Sequence, residues 1–237
     1  MIQVALCPSE IRRISATDLS EVTAVVFDVL RATSTIVTGL ASGVEEIIPV
    51  RTVEEARQQK IKDPTLLLAG ERGGLPPEGF DLGNSPEEFQ GLKGRRVVMT
   101  TTNGTAAIES VQTASKVLIG ALLNIDALAN YLFTHPPKKL WLICAGTGEE
   151  FSLEDAYAAG ALVTRLSDDQ GLSDSAIITR SLYEQVGEDL HEWLRETQNG
   201  RQLRKIGKDA DIIWCARLSL FDLVCQLKGG RISCLTD

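Results

Sequence analysis

The feature that most constrains this chain is a plan used three times: an apolar strand, a polar loop, then a helix of small residues. It reads "VTAVVFDVLRATSTIVTGLASG" from Val22, "RRVVMTTTNGTAAIESVQ" from Arg95 and "KLWLICAGTGEEFSLEDAYAAGALVTRL" from Lys139. Continuous β-branched runs such as Val22–Val26 suit strands buried on both faces, the pattern of a parallel sheet. Helical spacing follows at Ile36, Val37, Leu40 and Ala41, and is clearest at Ile125, Leu128, Ala129, Leu132 and Phe133. Further strands are expected at Ile2–Leu6, Glu46–Val50, Thr65–Ala69, Val117–Ile119 and Ile212–Cys215.

Strands alternating with helices predict an α/β fold: a mainly parallel β-sheet flanked by helices in three layers. The 237 residues suffice for one α/β unit spanning 1–237. Two intimately packed subdomains, split near residues 115 and 116, remain compatible with that length and would put the site in the cleft between lobes. The stretch Gly70–Gly94 breaks the rhythm, being rich in Gly and Pro and without a period. Its length and its Phe80 and Leu82 anchors predict an ordered binding loop. The last third, Ser173–Asp237, reads as helical with a final short strand and carries no recognisable motif.

Composition narrows the function classes. Hydrophobic and charged fractions of 43% and 24% are those of an ordinary globular protein. A net charge of −8 argues against a nucleic-acid surface, which needs clustered Lys and Arg. A small anionic ligand stays compatible, because one Arg or a divalent metal reverses the field inside a cleft. No apolar stretch approaches the roughly 20 residues of a membrane span, and "MIQVALCPSEIRR" has no basic leader before a long apolar segment. Five widely spread cysteines, without a CxxC pair, suit reduced thiols. The expectation is a cytoplasmic protein, with a homodimer left open.

In open α/β sheets, ligands bind outside the carboxyl ends of the strands. Asp28, Thr100–Asn103 and Ala145–Glu150 all fall at such ends. Asp28 and Arg31 suit either a strand-end cap with a surface ion pair or a functional acid and base. "VVFDVLRAT" half-matches the DxDxT nucleophile loop of haloacid-dehalogenase phosphatases, but Leu30 stands where the second Asp belongs. "TTTNGTAA" starts a helix, where free amides and the dipole favour an anion, and where Thr102 or Asn103 would equally serve as N-cap. In "GEEFSLEDAYAAG", Ser152-x-x-Asp155 fits a capping box, yet Glu149, Glu150, Glu154 and Asp155 crowd one helix start. Such crowding favours a hard cation with oxygen ligands, Mg²⁺ rather than zinc.

Other chemistries find no support. Two histidines, His135 and His191, cannot build a three-His metal site. Cys7 and Arg13 have the spacing of a thiol-phosphatase loop, but no Gly lies between them and Glu10 would oppose an anion. No Walker-type GxxxxGK[ST] occurs, and "GTGEEF" lacks the third Gly of a dinucleotide loop.

In chain order, "FDVLRATSTI", "GERGG…GFDLGNSP", "TTTNGT" and "CAGTGEEFSLEDAYAAG" resemble the motifs of the 2-phosphosulfolactate phosphatase family. The likeness runs from Val25 to about Gly160. It implies a Mg²⁺-dependent phosphatase, a phosphoric monoester hydrolase acting on the phosphate ester of a small sulfonated hydroxy acid. In methanogens that step belongs to coenzyme M biosynthesis; relatives in bacteria without that cofactor make the substrate less transferable than the reaction. On this reading some of Asp28, Glu71, Glu154 and Asp155 hold Mg²⁺. Arg31, with Thr33 and the Thr101, Thr102, Asn103, Gly104 and Thr105 loop, takes the phosphoryl oxygens. Arg72 and the Asp81–Asn84 segment lie over the carboxylate and sulfonate. Asp28 is preferred as a metal ligand over a nucleophile, because Leu30 replaces the general acid. The alternatives are a non-catalytic binder of small anions and a haloacid-dehalogenase-like phosphatase on another small phosphate ester.

Overall fold

The computed structural model describes residues 1–166, 171–187 and 189–235. Along the chain run β1 (Ile2–Ala5), α1 (Pro8–Ser15), β2 (Val22–Phe27), α2 (Ala32–Ala41), β3 (Glu46–Pro49), α3 (Val53–Lys62) and β4 (Leu67–Gly70). After a long loop come β5 (Arg96–Thr100), α4 (Gly104–Ser110), β6 (Lys116–Gly120), α5 (Ile125–Thr134), β7 (Lys139–Cys144) and α6 (Leu153–Leu166). The C-terminal part holds α7 (Asp174–Gln185), α8 (Leu190–Arg195), α9 (Gln198–Lys205) and α10 (Asp209–Cys215), then the hairpin β8 (Cys225–Lys228) and β9 (Arg231–Cys234).

Among the described residues these strands form one nine-stranded sheet, ordered β1-β7-β2-β6-β8-β9-β3-β5-β4. The pairings β1/β7, β7/β2, β2/β6, β3/β5 and β5/β4 are parallel. The three pairings that involve β8 or β9 are antiparallel. β2 shows why the sheet is covered on both sides. All six of its residues are buried. Val22, Ala24 and Val26 join a core with Ile11, Ile36 and Ile108 of α1, α2 and α4. Val25 and Phe27 join a second core with Leu128, Leu162 and Ile212 of α5, α6 and α10. Successive side chains of a strand point to opposite faces, so an unbroken apolar run needs helices on both. Each fully buried Val or Phe contributes roughly 1.5–3 kcal/mol.

The hairpin reverses the sense of the sheet, so the block β3-β5-β4 runs opposite to the block β1-β7-β2-β6. Their carboxyl ends nevertheless meet. Gly104, just after β5, lies so close to Asp28, just after β2, that an added Cβ would stand 2.5 Å from Asp28 Oδ2. Loops from both blocks therefore line one cleft.

The stretch Ile212–Cys215, expected as a strand, is the end of α10. Its buried residues are Asp211, Ile212 and Cys215, spaced for one helix face, with Asp209 and Asp211 in the acid-favouring first turn. A short apolar run fits either element, and helical packing decided this one. The expected final strand is a two-stranded hairpin. The Gly70–Gly94 loop is built on Phe89, which is fully buried, besides the half-buried Phe80 and Leu82. No helix among the described residues is long and apolar enough to cross a membrane.

Candidate active site

The turn after β2 is held by its own hydroxyls. Thr33 Oγ1 accepts from the Asp28 amide at 3.0 Å and donates to the Asp28 carbonyl at 2.9 Å. Ser34 Oγ donates to the Val29 carbonyl and Thr35 Oγ1 to the Asn84 carbonyl. Thr33 thus fixes the Asp28 backbone and lies outside the cleft lining. The Leu30–Arg31 peptide is cis. Asp28 Oδ1 accepts from the Ala32 amide at 3.2 Å, while Oδ2 lies beside Gly104. Burial pushes the Asp28 carboxyl up to about 7; the Ala32 N–H opposes this, and Glu71 and Glu154 add to it.

Arg31 is buried and fully engaged on one side. One terminal nitrogen donates to Asp211 Oδ2 at 2.6 Å and the other to the Gly74 carbonyl at 2.8 Å. Asp211 Oδ1 accepts from Ser85 Oγ at 2.6 Å. Both ionic side chains are almost completely buried. This is not the surface pair considered from sequence; it joins the turn after β2 to α10 and, through Ser85 and Gly74, to the long loop.

The remaining acids separate into two kinds. Glu71 Oε1 accepts from the Thr102 amide and hydroxyl at 2.8 and 2.9 Å, and Oε2 from the Gly74 amide at 2.8 Å. Glu154, buried, accepts from Asn199 Nδ2 at 2.6 Å, and that nitrogen also donates to Thr147 Oγ1. Asp155 is turned inward: Oδ1 accepts from the Val29 amide and Oδ2 from the Gly146 amide. Its carboxyl is raised well above the ordinary value by burial and by Asp28 and Glu154. Ser152 does accept from the Asp155 amide at 3.4 Å, but the carboxylate does not return to close the capping box.

The Thr loop works mostly on itself. Thr101 and Thr105 are buried, and each hydroxyl accepts from the other's amide at 3.0 and 3.1 Å. Asn103 makes no side-chain cap for α4; its amide bonds Ala145 and Gly148, stitching the loop after β5 to the loop after β7. Arg72 donates to Thr100 and Glu71, and Asp81 accepts from Lys60 at 2.5 Å and from the Leu68 amide. Neither Arg72 nor Asp81 lines the cleft.

What the structure does bring together is a cleft of about 480 Å³. Asp28, Arg31, Glu71, Asn84, Thr102 and Asn103 line it from the sheet side. The opposite wall is α9, which offers Gln198, Asn199, Arg201, Gln202 and Lys205. Sequence reasoning missed this wall and Asp211. One signal was there: Gln198, Arg201, Gln202 and Lys205 recur at helical spacing, a polar stripe on a helix that buries Gly200 and Leu203. Asn84 adds a further mark, since its Oδ1 is buried with no hydrogen-bond partner among the described residues. Cys7 heads α1 and contacts Ser9, while Arg13 pairs with Glu10, so the Cys-x5-Arg spacing builds no anion loop.

The donor set suits a hard divalent cation. It is all oxygen, and the Asp28 carboxylate is disfavoured by burial beside two further carboxylates, a charge imbalance that a cation relieves. No three His, Cys, Asp or Glu side chains among the described residues form a ready cage.

Fold and site together define an α/β protein whose strand-end cleft sets carboxylates against an arginine and a polar helix, chemistry suited to a small anion. The chain belongs to the 2-phosphosulpholactate phosphatase family, whose profile matches residues 9–230. It is 43% identical over 212 residues to a protein of Deinococcus radiodurans named probable 2-phosphosulfolactate phosphatase, covering 87% of this chain and 88% of that one. Proteins of the same name from Caldicellulosiruptor saccharolyticus and Thermotoga maritima are 39% and 40% identical. The first covers 86% of this chain and 88% of its own length, the second 88% and 90%.

Proposed function

We propose that this chain is a phosphoric monoester hydrolase that removes phosphate from a small sulfonated or carboxylated hydroxy acid, 2-phosphosulfolactate in the first instance, with Mg²⁺ as cofactor. The observation that carries the reading is Asp28, pushed up to about 7 by burial and set beside Arg31 on the floor of the cleft. A strand-end cap would not need to be buried among other carboxylates.

Asp28 and Glu71, both on the cleft lining, would hold the ion, with the buried Glu154 as a further carboxylate behind them. Bound there, Mg²⁺ supplies charge to the phosphoryl oxygens and acidifies a water. Arg31, held by Asp211 and Gly74, keeps its remaining N–H groups for the phosphoryl oxygens. Glu71 fixes the Thr102 amide and hydroxyl at the rim. The α9 wall, with Arg201 and Lys205, faces the acid's second anionic group, and Asn84 reaches the same space. Asn199 ties that wall to Glu154, so the tail site and the metal site share one support.

The rival reading is a binder of small anions without turnover. It needs Arg31 and α9 but gives no reason for a buried Asp28 whose charge Glu71 and Glu154 oppose. Phosphate release from 2-phosphosulfolactate and from an aryl phosphate, with Mg²⁺ and with excess chelator, separates the two. Metal-dependent release supports the hydrolase; saturable anion binding with no release in either condition overturns it.

A further inference from the structure

The C-terminal hairpin brings Cys225 and Cys234 face to face. They are direct partners in β8–β9. The Leu235 amide donates to the Val224 carbonyl at 2.8 Å, which makes that neighbouring pair a hydrogen-bonded one. Pair types alternate along an antiparallel ladder, so Cys225 and Cys234 occupy a non-hydrogen-bonded pair. There the Cα atoms stand about 4.5 Å apart, with side chains on one face at their closest. A disulfide spans Cα separations of about 4.4–6.8 Å, so the bond can close without moving the strands.

The register is pinned. Gly229 and Gly230 turn the hairpin with φ of 58° and 77°, the positive values of a two-residue turn that suits the strand twist. Leu227 and Ile232, the next pair on the same face, are buried in the core. A one-residue slip would expel both. Cys225 is fully buried and Cys234 partly exposed, and both are free thiols. The Cys225 thiol, donating to the Cys234 sulfur, lowers Cys234 to about 7, which puts thiolate at the exposed member near neutral pH.

We propose that Cys225 and Cys234 form a reversible dithiol–disulfide site, oxidised by small hydroperoxides and restored by a thiol reductant. The Cys234 thiolate attacks the peroxide oxygen and the O–O bond breaks. The leaving hydroxide or alkoxide takes up the thiol proton as water or alcohol. Cys225 sulfur then attacks the resulting sulfenic sulfur, the S–O bond breaks, and hydroxide leaves as water with the Cys225 proton. Two thiols lose two electrons and one peroxide gains them. The site lies in the hairpin that joins the Asp28 block of the sheet to the Glu71 block, so the cross-link ties the joint between them.

The test uses the whole chain, reduced, desalted, treated with a few equivalents of hydrogen peroxide, then alkylated after denaturation. The expected product retains three alkylatable cysteines of the five, yields a linked Cys225–Cys234 peptide, melts higher, and reverts with dithiothreitol. Cys234→Ser and Cys225→Ser should lose this product, and Cys7→Ser should keep it. Five alkylated cysteines after peroxide, a Cys234 sulfinic acid without cross-link, or a different linked pair would each overturn the proposal. The wild-type peptide map decides the matter even if a serine variant folds poorly.

Discussion

Arg31 and Asp211, 180 residues apart in sequence, meet at 2.6 Å in the interior, and the pair holds Arg31 where it lines the cleft. Removing one partner of a buried ion pair leaves an uncompensated charge and costs roughly 3–5 kcal/mol. Asp211→Ala should therefore lower the denaturation midpoint strongly. Arg31→Lys keeps the charge but loses the guanidinium fork that serves Asp211, Gly74 and a bound phosphoryl group together. Its kcat/KM should fall at least ten-fold, about 1.4 kcal/mol. An unchanged kcat/KM would leave Arg31 a purely structural residue.

Asp28→Asn distinguishes the ligand from the nucleophile. With Asp28 as metal ligand, the substitution weakens Mg²⁺ binding, raised Mg²⁺ restores part of the activity, and acid-quenched wild-type enzyme carries no acyl phosphate. Trapping a phosphorylated Asp28 peptide during turnover would assign nucleophilic attack instead.

The pH dependence of the metal-free protein follows from the same residue. Folded Asp28 keeps its proton up to about 7, whereas the unfolded chain releases it near the ordinary carboxyl value of about 4. Between those values the folded state holds more protons, so stability is greatest at the acid end and falls as pH rises through the window. Burial raises Asp155 as well, so it acts in the same direction. Chemical denaturation in chelator across that range should show the fall, and Asp28→Asn should make it shallower.

The α9 wall should sort substrates by their second anionic group. Arg201→Ala and Lys205→Ala should raise KM for a phosphorylated sulfo- or carboxy-acid by about ten-fold, the share of one charged hydrogen bond of roughly 1.5–3 kcal/mol reduced by exposure. Hydrolysis of an aryl phosphate without that group should change little. Equal losses on both substrates would move the helix from tail recognition to phosphate binding.

Thiol catalysis should be absent. Cys7 heads α1 with its side chain on Ser9, outside the cleft. Cys7→Ser should retain kcat and KM for phosphate-ester hydrolysis.

The strands were legible because burial on both faces leaves a local mark. Val22–Val26 cannot sit half in water, and the Gly–Pro-rich break at Gly70–Gly94 cannot continue a strand or helix. The same local logic put Asp28, Thr102 and Asn103 at strand ends, and all three line the cleft. It failed at Ile212–Cys215, where four apolar residues satisfy either period, and only the core beside α8 and α9 selects the helix. Local pattern could not say where the neighbouring hydroxyls point: Thr33, Thr101 and Thr105 hydrogen-bond the backbone around them and lie off the cleft lining, a choice that depends on geometry within a few ångströms.

The sequence by itself determined the α/β class, the covered sheet and the acids at the strand ends, because each follows from neighbours within a dozen residues. Only the tertiary structure decided that the two halves of the sheet run in opposite senses about the β8–β9 hairpin and that loops from both line one cleft. It alone set Asp211 against Arg31, α9 across from Asp28, and Cys225 opposite Cys234. Those pairings depend on chain reversal and on packing between distant segments, and such contacts leave no period in the sequence to read.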